Sequence, residues 1–256
     1  MENSTMARAA PVPDSTTDPD EVAKFAEIGH AWWDPAGPMA PLHKLNPVRL
    51  AYIRDRVCAH LARDPQAAGP LAGLTALDVG CGGGLLAEPL ARLGATVTAI
   101  DPVEANVATA RWHAHEMELD IDYRACTVEE IALAGRRFDL VVASEVVEHL
   151  PDVPTFLAAL AAATRPGGLA LFSTLSRTPA SFAKAIIGAE YLLGWLPRGT
   201  HSWRRFIRPA ELGRMLRRCG LRATDVSGIG YDAAHDSFVL SRDPSVNYLL
   251  TALRER

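Results

Sequence analysis

The chain of 256 residues is long enough for one α/β domain with additions, and its 48% apolar composition supplies a buried core, which excludes disorder of the whole chain. The formal net charge of −4 excludes a global basic field of the kind that attracts nucleic acid, so no nucleic-acid partner is expected. The segment 184–218 is an exception, because it carries eight Lys and Arg residues against two Glu.

The first twenty residues contain several Pro and Asp residues and no apolar run, which predicts a disordered tail without a secretory signal. Four cysteines are scattered without paired spacing, a pattern that fits a reducing compartment and argues against a zinc site. The sequence has no run of about twenty apolar residues that could span a bilayer. These features predict a cytoplasmic protein.

A helical cap is predicted over residues 21–63, ahead of the sheet. Apolar residues recur at helical spacing over 21–33 and stop at a break that contains Pro and Gly. A second helix is predicted over 47–61, where apolar residues again share one side. Asp-Pro and Gly-Pro pairs within 64–70 then indicate a linker.

Strand and helix patterns alternate five times after this linker, which predicts an α/β fold with a mostly parallel sheet covered on both faces. The predicted strands are 75–79, 95–100, 121–125, 138–143 and 169–174. The predicted helices are 85–93, 103–115 and 156–164. Ligands of such sheets bind beyond the carboxyl ends of the strands, so the segments that follow the strands are the first candidates for a site.

Four glycines fall within the five residues from Gly80 to Gly84, directly after the first predicted strand. Glycine lets a backbone approach a ligand closely and point its N–H groups at it, whereas a tight turn without a ligand is the alternative. A dinucleotide fingerprint needs glycine where Leu85 stands, which disfavours a nicotinamide cofactor. With Asp78 in front, the turn resembles the first motif of class I methyltransferases, whose loop holds the methionine part of S-adenosylmethionine.

Asp101 ends the second predicted strand. An ionised carboxylate has two acceptor oxygens and can accept hydrogen bonds from both hydroxyls of a ribose. An acid after a strand is also a common N-cap for the next helix, so both interpretations stay open. Because nicotinamide cofactors also contain ribose, Asp101 indicates a nucleoside without identifying the cofactor.

Several longer strings are similar to the ubiquinone-biosynthesis O-methyltransferase family, in order and over residues 21–250. The most specific are Trp-Trp-Asp at 32–34, Asn-Pro-Val-Arg at 46–49 and Gly-Ala-Glu-Tyr at 188–191, with further matches at 144–149, 172–175, 199–201 and 246–248. The resemblance implies one Rossmann-like class I methyltransferase domain, with a mostly parallel seven-stranded sheet flanked by helices, the N-terminal cap and a helical insert near 178–209. It also implies methylation of the phenolic hydroxyl of polyprenyl catechols and phenols at two steps of quinone synthesis.

The resemblance and the glycine motif also assign residues to S-adenosylmethionine, namely Arg49, Asp78, Gly80, Gly82, Asp101 and Ser144. Arg49 belongs to the cap, and its guanidinium can clamp the cofactor carboxylate with two hydrogen bonds. A surface arginine on an amphipathic helix has the same sequence pattern. Because family members vary at the position of Ser144, its contact is expected through the backbone.

Methyl transfer to a phenol needs either a base or a cation, because a free phenol with a pKa of about 10 is mostly neutral at pH 7. Glu145, Glu148 and His149 stand at i, i+3 and i+4, so in a helix all three point to one side. His149 and Glu145 are the candidate catalytic residues, and the three together are candidate ligands for Mg²⁺ or another divalent cation. A metal-free site, with the histidine structural or acting as base, stays open, and His201 is a second candidate base.

The predicted insert near 178–209 is apolar with basic flanks, which is typical of an interfacial helix on anionic lipid, of a lid over a greasy pocket, or of an additional pair of core helices. We favour a lid with membrane contact through residues 182–208, because a polyprenyl substrate lies in the bilayer. This predicts peripheral association with the inner membrane, and a biosynthetic complex is a further expected partner. A non-catalytic, cofactor-binding scaffold and a methyltransferase for another small phenol are the alternative functions.

Overall fold

The structure is a computed structural model, and it describes residues 16–18, 20, 29–183 and 202–256. The α-helices defined there are α1 Ala40–Leu61, α2 Ala87–Arg92, α3 Glu104–Glu116, α4 Val128–Leu133, α5 Val153–Ala163, α6 Pro179–Ser181 and α7 Pro209–Arg218. Short 3₁₀ helices span Gly29–Trp33, Val147–His149 and Trp203–Arg205. The strands are β1 Thr75–Val79, β2 Thr96–Asp101, β3 Asp122–Ala125, β4 Phe138–Ser144, β5 Thr164–Leu175, β6 Leu221–Asp232, β7 Ser237–Ser241 and β8 Asn247–Arg254.

The strands form one sheet in the order β3-β2-β1-β4-β5-β8-β6-β7. The first five are parallel, and β8 pairs antiparallel with both β5 and β6. The mostly parallel α/β sheet predicted from the alternation is therefore confirmed. It carries one strand more than the seven expected, because β6 and β7 form an antiparallel pair at the edge.

Both faces of the sheet are covered, as the continuous apolar strands predict. Tyr52 of α1, Leu90 of α2 and Val107 of α3 belong to the buried cluster on one face. Helices α4, α5 and α7 cover the other face, where Leu157 and Leu212 are fully buried. The cap helix α1 is thus part of the core.

Helix α1 begins at Ala40, whereas the sequence predicts a start at Pro47. The apolar residues that predict the helix begin only at Leu50, whereas Pro41 stands in the first turn of the helix in the structure, a position that proline favours. Pro47 lies inside the helix, where the neighbouring Asn46 side chain donates to the carbonyl of Leu85 at 2.6 Å. This bond ties α1 to the segment that follows the glycine turn.

Part of the predicted disordered tail packs against the domain. Thr16 is buried and donates to Oε1 of Glu129 at 2.6 Å, and Asp18 forms an ion pair with Arg205 at 2.9 Å. Composition cannot reveal such distant partners. Three segments lie outside the described residues: 1–15, most of the helix predicted over 21–33, and 184–201 of the insert. The last of these includes the candidate base His201. No helix of the described chain is long and apolar enough to cross a membrane.

Candidate functional site

The register of the parallel strands brings three predicted site residues to one edge of the sheet. Val79 pairs with Ile100 of β2 and with Ala143 of β4. The residues that follow each of these, Gly80, Asp101 and Ser144, therefore lie side by side at the carboxyl ends of the strands. This is the carboxyl edge, where α/β proteins bind their ligands.

The glycine turn holds backbone conformations that other residues adopt with strain. Gly80, Gly82 and Gly84 have φ values of 70°, 52° and 90°, in the left-handed region. The N–H groups of Gly80 and Cys81 donate to the carbonyl of Ile100 at 2.8 and 2.9 Å, which pulls the turn against β2. A Cβ on Gly80 would also lie 2.6 Å from Cγ2 of Val146.

Asp101 joins the glycine turn to the start of α3. Its carboxylate accepts from the N–H of Gly82 at 2.9 Å, from the N–H of Val103 at 2.9 Å and from Nδ2 of Asn106 at 3.3 Å. Burial raises the pKa of Asp101, and these three hydrogen bonds oppose the shift. Because each oxygen has two lone pairs, the carboxylate retains capacity to accept from a ligand.

Arg49 is buried, with 5% of its side chain exposed, so the interpretation as a surface arginine is wrong. Helix α1 places its Nη2 2.8 Å from Oε1 of Glu145. Its Nε is buried and has no hydrogen-bond partner among the described residues. Arg49 lies on the cap helix α1 and not on the sheet, but it points inward. It therefore supplies a cationic hydrogen-bond donor at the carboxyl edge of the sheet.

Asp78 precedes the glycine turn and is fully enclosed by the fold. Burial, together with the neighbouring charge of Asp101, raises its pKa to about 7, and Arg49 opposes the shift. Within the described part of the chain, Oδ2 of Asp78 and Oγ of Ser144 have no hydrogen-bond partner. Buried polar atoms are ordinarily paired, so these oxygens and the Nε of Arg49 indicate a site for a polar ligand.

The segment after Ala143 is not the helix on which the predicted grouping of Glu145, Glu148 and His149 depends. Strand β4 continues to Ser144, and Glu145 adopts a left-handed backbone with a φ of 56°. Only residues Val147–His149 are helical, in one 3₁₀ turn. The helix that this spacing presupposes is therefore absent, although Glu148 lies close enough to Glu145 and His149 to feel the charge of each.

Glu145 faces Arg49 and strand β5. Its N–H donates to the carbonyl of Ser173 at 2.8 Å, and its Oε1 accepts from Oγ of Ser173 at 2.5 Å. The same oxygen forms the ion pair with Arg49. These contacts hold a strained residue in place, as is common where backbone conformation serves a site.

Glu148 is buried, with 3% of its surface exposed. Burial and the nearby charge of Glu145 raise its pKa to about 8, whereas the charge of His149 and a 2.7 Å hydrogen bond from Oγ1 of Thr174 lower it. Its Oε1 has no partner among the residues that the structure describes. No group of three or more His, Cys, Asp or Glu side chains in that part of the chain is arranged to hold a metal ion.

Sequence reasoning missed the residues that support this site. Ser173 and Thr174 lie in β5 opposite the turn after β4, and they are part of the string that the resemblance to the family rests on. Asn106 supports Asp101 from the first turn of α3. Asn106 follows Asp101, the candidate ribose-binding residue, by five positions and stands early in a helix. That position is the sequence signal that points to Asn106.

Comparisons with known proteins identify the family of the chain. A family model described as a methyltransferase domain matches residues 50–226. The ubiquinone biosynthesis O-methyltransferase of Methylobacterium sp. (strain 4-46) is 54% identical over 237 residues, covering 93% of this chain and 95% of the relative. The enzyme of the same name from Methylocella silvestris is 51% identical over 256 residues, covering 98% and 100%.

Two solved structures are similar in fold. The magnesium protoporphyrin IX methyltransferase of Synechocystis PCC 6803 with bound SAM superposes with a TM-score of 0.58 at 19% identity, covering 97% of this chain and 100% of that chain. The 1,6-didemethyltoxoflavin-N1-methyltransferase of Burkholderia thailandensis, with S-adenosylhomocysteine bound, gives 0.58 at 22% identity and covers 96% and 95%. These likenesses confirm the predicted Rossmann-like architecture.

Proposed function

The chain belongs to the ubiquinone biosynthesis O-methyltransferase family, and from that premise we propose that it methylates the phenolic hydroxyl of polyprenyl catechol and phenol intermediates, at both O-methylation steps. It is an S-adenosylmethionine-dependent methyltransferase of ubiquinone biosynthesis. The observation that carries the proposal is a group of buried polar atoms on Arg49, Asp78 and Ser144 that have no hydrogen-bond partner among the described residues. They belong to residues near the carboxyl edge that holds Gly80 and Asp101.

These atoms fit the polar groups of S-adenosylmethionine. We propose that Nε of Arg49, which has no partner in the described part of the chain, binds the carboxylate. Asp78 and the backbone at Ser144 then face the amino acid part, and the glycine turn from Gly80 through Gly82 lies against it. Asp101 accepts from a ribose hydroxyl with the one lone pair of Oδ2 that its three hydrogen bonds leave. Bound S-adenosylmethionine supplies an electrophilic methyl group on a sulfonium, which the site must present in line to an oxygen nucleophile.

Incubation of the protein with labelled S-adenosylmethionine and short-chain polyprenyl catechols and phenols tests this function. We expect label in the O-methylated product of both substrate types. Cofactor binding without turnover on either type would instead support the non-catalytic scaffold. Turnover on small phenols that lack a prenyl chain, with none on the prenylated ones, would support the alternative substrate class.

We propose different roles for the three residues Glu145, Glu148 and His149, which follow β4. Because Glu145 is engaged by Arg49 and Ser173, we propose that it positions Arg49 and does not take the phenolic proton. His149 is the proposed base. Glu148 in its ionised form stabilises the imidazolium that results, since the two groups interact favourably when both are charged.

Of the two possibilities that the sequence leaves open, bound Mg²⁺ and a metal-free site, we propose the metal-free site. The donor set fits a divalent cation poorly as it is arranged, because Glu145 already pairs with Arg49 and accepts from Ser173. No step is therefore derived through a metal. Chelator treatment followed by metal analysis and activity assays decides the point: we expect full activity in a verified metal-free sample, and recovery only after Mg²⁺ is added back would establish the cation.

We also propose that residues 182–208 contact an anionic membrane surface and that the protein is cytoplasmic, peripherally bound at the inner membrane, within reach of a biosynthetic complex. The charge pattern supports this, since a polybasic apolar segment gains affinity for anionic lipid with each Lys or Arg. A polyprenyl chain in the bilayer leaves its head group at that surface.

Vesicle flotation tests the membrane contact. Arg205 is unsuited to the test because it pairs with Asp18 and donates to the carbonyl of His149. We therefore combine Lys184→Glu and Arg204→Glu in one double variant. The control double variant combines Arg217→Glu and Arg218→Glu, which make the same charge change on α7. Flotation with anionic vesicles should weaken only in the first double variant. Equal flotation of both would contradict the assignment to residues 182–208.

A further inference from the structure

Two adjacent tryptophans of the cap, Trp32 and Trp33, lie against the glycine turn. Trp32 is buried, with 6% of its surface exposed. A Cβ on either Gly82 or Gly83 would overlap the Trp32 side chain. Gly83 does not adopt a left-handed φ, so the packing of Trp32 is the reason that this position needs glycine.

Each indole also donates a hydrogen bond toward the cofactor site. Nε1 of Trp33 donates to the carbonyl of Gly83 at 2.9 Å. Nε1 of Trp32 donates to Oδ1 of Asn106 at 3.0 Å, and Nδ2 of Asn106 donates to Asp101 at 3.3 Å. The cap therefore contacts both parts of the site. Trp33 reaches the glycine turn directly, and Trp32 reaches Asp101, the proposed ribose-binding residue, through Asn106.

The chemistry of these groups fixes the direction of the second chain of bonds. An indole nitrogen can only donate, so the amide of Asn106 must turn its oxygen to Trp32 and its NH₂ to Asp101. Asn106 is buried, with 1% exposed, so water does not compete for either end. The carboxylate of Asp101 is thereby held in one orientation by a residue on another element.

The indoles are themselves supported from behind. The ring of Trp33 stacks on His113 with centroids 3.4 Å apart and planes 3° from parallel. His113 is bonded through Nδ1 to Oε1 of the buried Glu88 at 2.5 Å. Nε2 of His43, on α1, is hydrogen-bonded to the carbonyl of Trp32 at 2.9 Å. Because these contacts fix the two indole rings, Trp32 and Trp33 form a rigid surface against the glycine turn.

We propose that Trp32, Trp33 and Asn106 are positioning residues of the cofactor site, which set the glycine turn and the carboxylate of Asp101 in their binding geometry. The inference rests on the proposed cofactor role of the turn and Asp101. Its consequence is that the N-terminal cap is required for cofactor affinity, in addition to its contribution to the core.

Two variants test this, Trp33→Phe and Asn106→Asp. The first removes one N–H and keeps an aromatic ring on His113, so we expect the Kd for S-adenosylmethionine to rise roughly 2- to 10-fold. The second puts an acceptor where Asp101 needs a donor, and we expect a rise of roughly 10-fold or more. Trp203→Phe is the matched control, because its indole donates to the carbonyl of Thr178 at the same 2.9 Å, away from the turn.

Isothermal titration with S-adenosylmethionine, thermal unfolding and steady-state kinetics separate positioning from general destabilisation. Both test variants should raise the KM for the cofactor and leave kcat at saturating cofactor and the KM for the catechol near wild type. Trp203→Phe should lower the Tm comparably without changing the cofactor Kd. If both test variants bind the cofactor as wild type does, or if their losses only follow their Tm, the proposal is wrong.

Asp101→Ala distinguishes failure of this inference from failure of the proposed site. If Asp101→Ala loses cofactor affinity while Trp33→Phe and Asn106→Asp keep it, only the positioning role fails. If Asp101→Ala itself binds the cofactor normally, the cofactor site is misassigned and both proposals fall.

Discussion

Replacing Arg49 by Met should abolish most cofactor affinity and also destabilise the fold. The change removes a buried guanidinium and leaves the carboxylate of Glu145 without its 2.8 Å partner. Breaking one side of a buried ion pair costs about 3 to 5 kcal/mol, and the partial exposure of Glu145 favours the lower end of this range. Loss of a charge-assisted hydrogen bond to the cofactor carboxylate adds about 1.5 to 3 kcal/mol, or roughly 10- to 150-fold in Kd.

A second substitution separates the two effects. In Arg49→Met with Glu145→Gln, both charges of the pair are gone, so urea unfolding should show most of the lost stability restored while titration still shows the weakened Kd. Arg54→Met, on the same helix and paired with Asp55 at the surface, should change neither quantity appreciably. Wild-type cofactor affinity in a folded Arg49→Met protein would refute the clamp, and affinity that returns with Glu145→Gln would show that only stability had been lost.

The remaining predictions concern the acid beside β5 and the glycine turn. The pKa of Glu148 rises from 4.5 to about 8 on folding, so the folded state binds its proton more tightly and this contribution to stability is lost as the pH rises toward 8. Glu148→Gln should therefore lose less stability than the wild type between pH 5 and pH 8, as urea unfolding at several pH values would reveal. If the free energy of unfolding depends on pH in the same way in both proteins, the pKa shift is contradicted. Thr174→Val removes a hydrogen bond that lowers the pKa of Glu148, so the rise of kcat/KM with pH should move to higher pH, and an unmoved profile would exclude Glu148 from the chemistry. Gly80→Ala should lose cofactor binding because its Cβ meets Val146, whereas Gly73→Ala, at a comparable φ of 77° with open space around it, should show only a loss of stability.

The sheet and its carboxyl edge are predictable from the sequence because their signals are local. The apolar run Thr75–Val79 followed by glycines identifies a strand and a tight turn, and the alternation that follows predicts a parallel sheet. Parallel register then places Asp101 and Ser144 beside Gly80 without further information. The antiparallel strands β6 and β7 escape this reasoning, because polar residues and glycines interrupt β6 and the apolar run of β7 is only three residues long.

The partners of the buried charges are not predictable in the same way. Arg49 and Glu145 are separated by almost a hundred residues, and a helical pattern shows only that Arg49 could point inward or outward. The left-handed backbone of Glu145 is likewise unexpected in a residue other than glycine, and it decides where the carboxylates after β4 point. Helical spacing was the wrong template there because the strand runs one residue further and the chain turns through Glu145.

That turn also connects the cofactor site to the chemistry. Val146 packs on Gly80, while its neighbour Glu145 is held by Arg49 and Ser173, so the glycine turn, the cap and β5 all meet at two consecutive residues. A non-glycine residue in the left-handed region costs of order 1 to 3 kcal/mol, and it persists only where its surroundings over-determine it. If Arg49 binds the cofactor carboxylate as we propose, that carboxylate and Glu145 share one guanidinium. The bound cofactor would then act on Glu145, which precedes Val147–His149 in the chain. Cofactor binding should therefore precede deprotonation of the phenol, and product-inhibition kinetics should show an ordered mechanism with S-adenosylmethionine bound first; random binding order would mean that the two halves of the site respond independently.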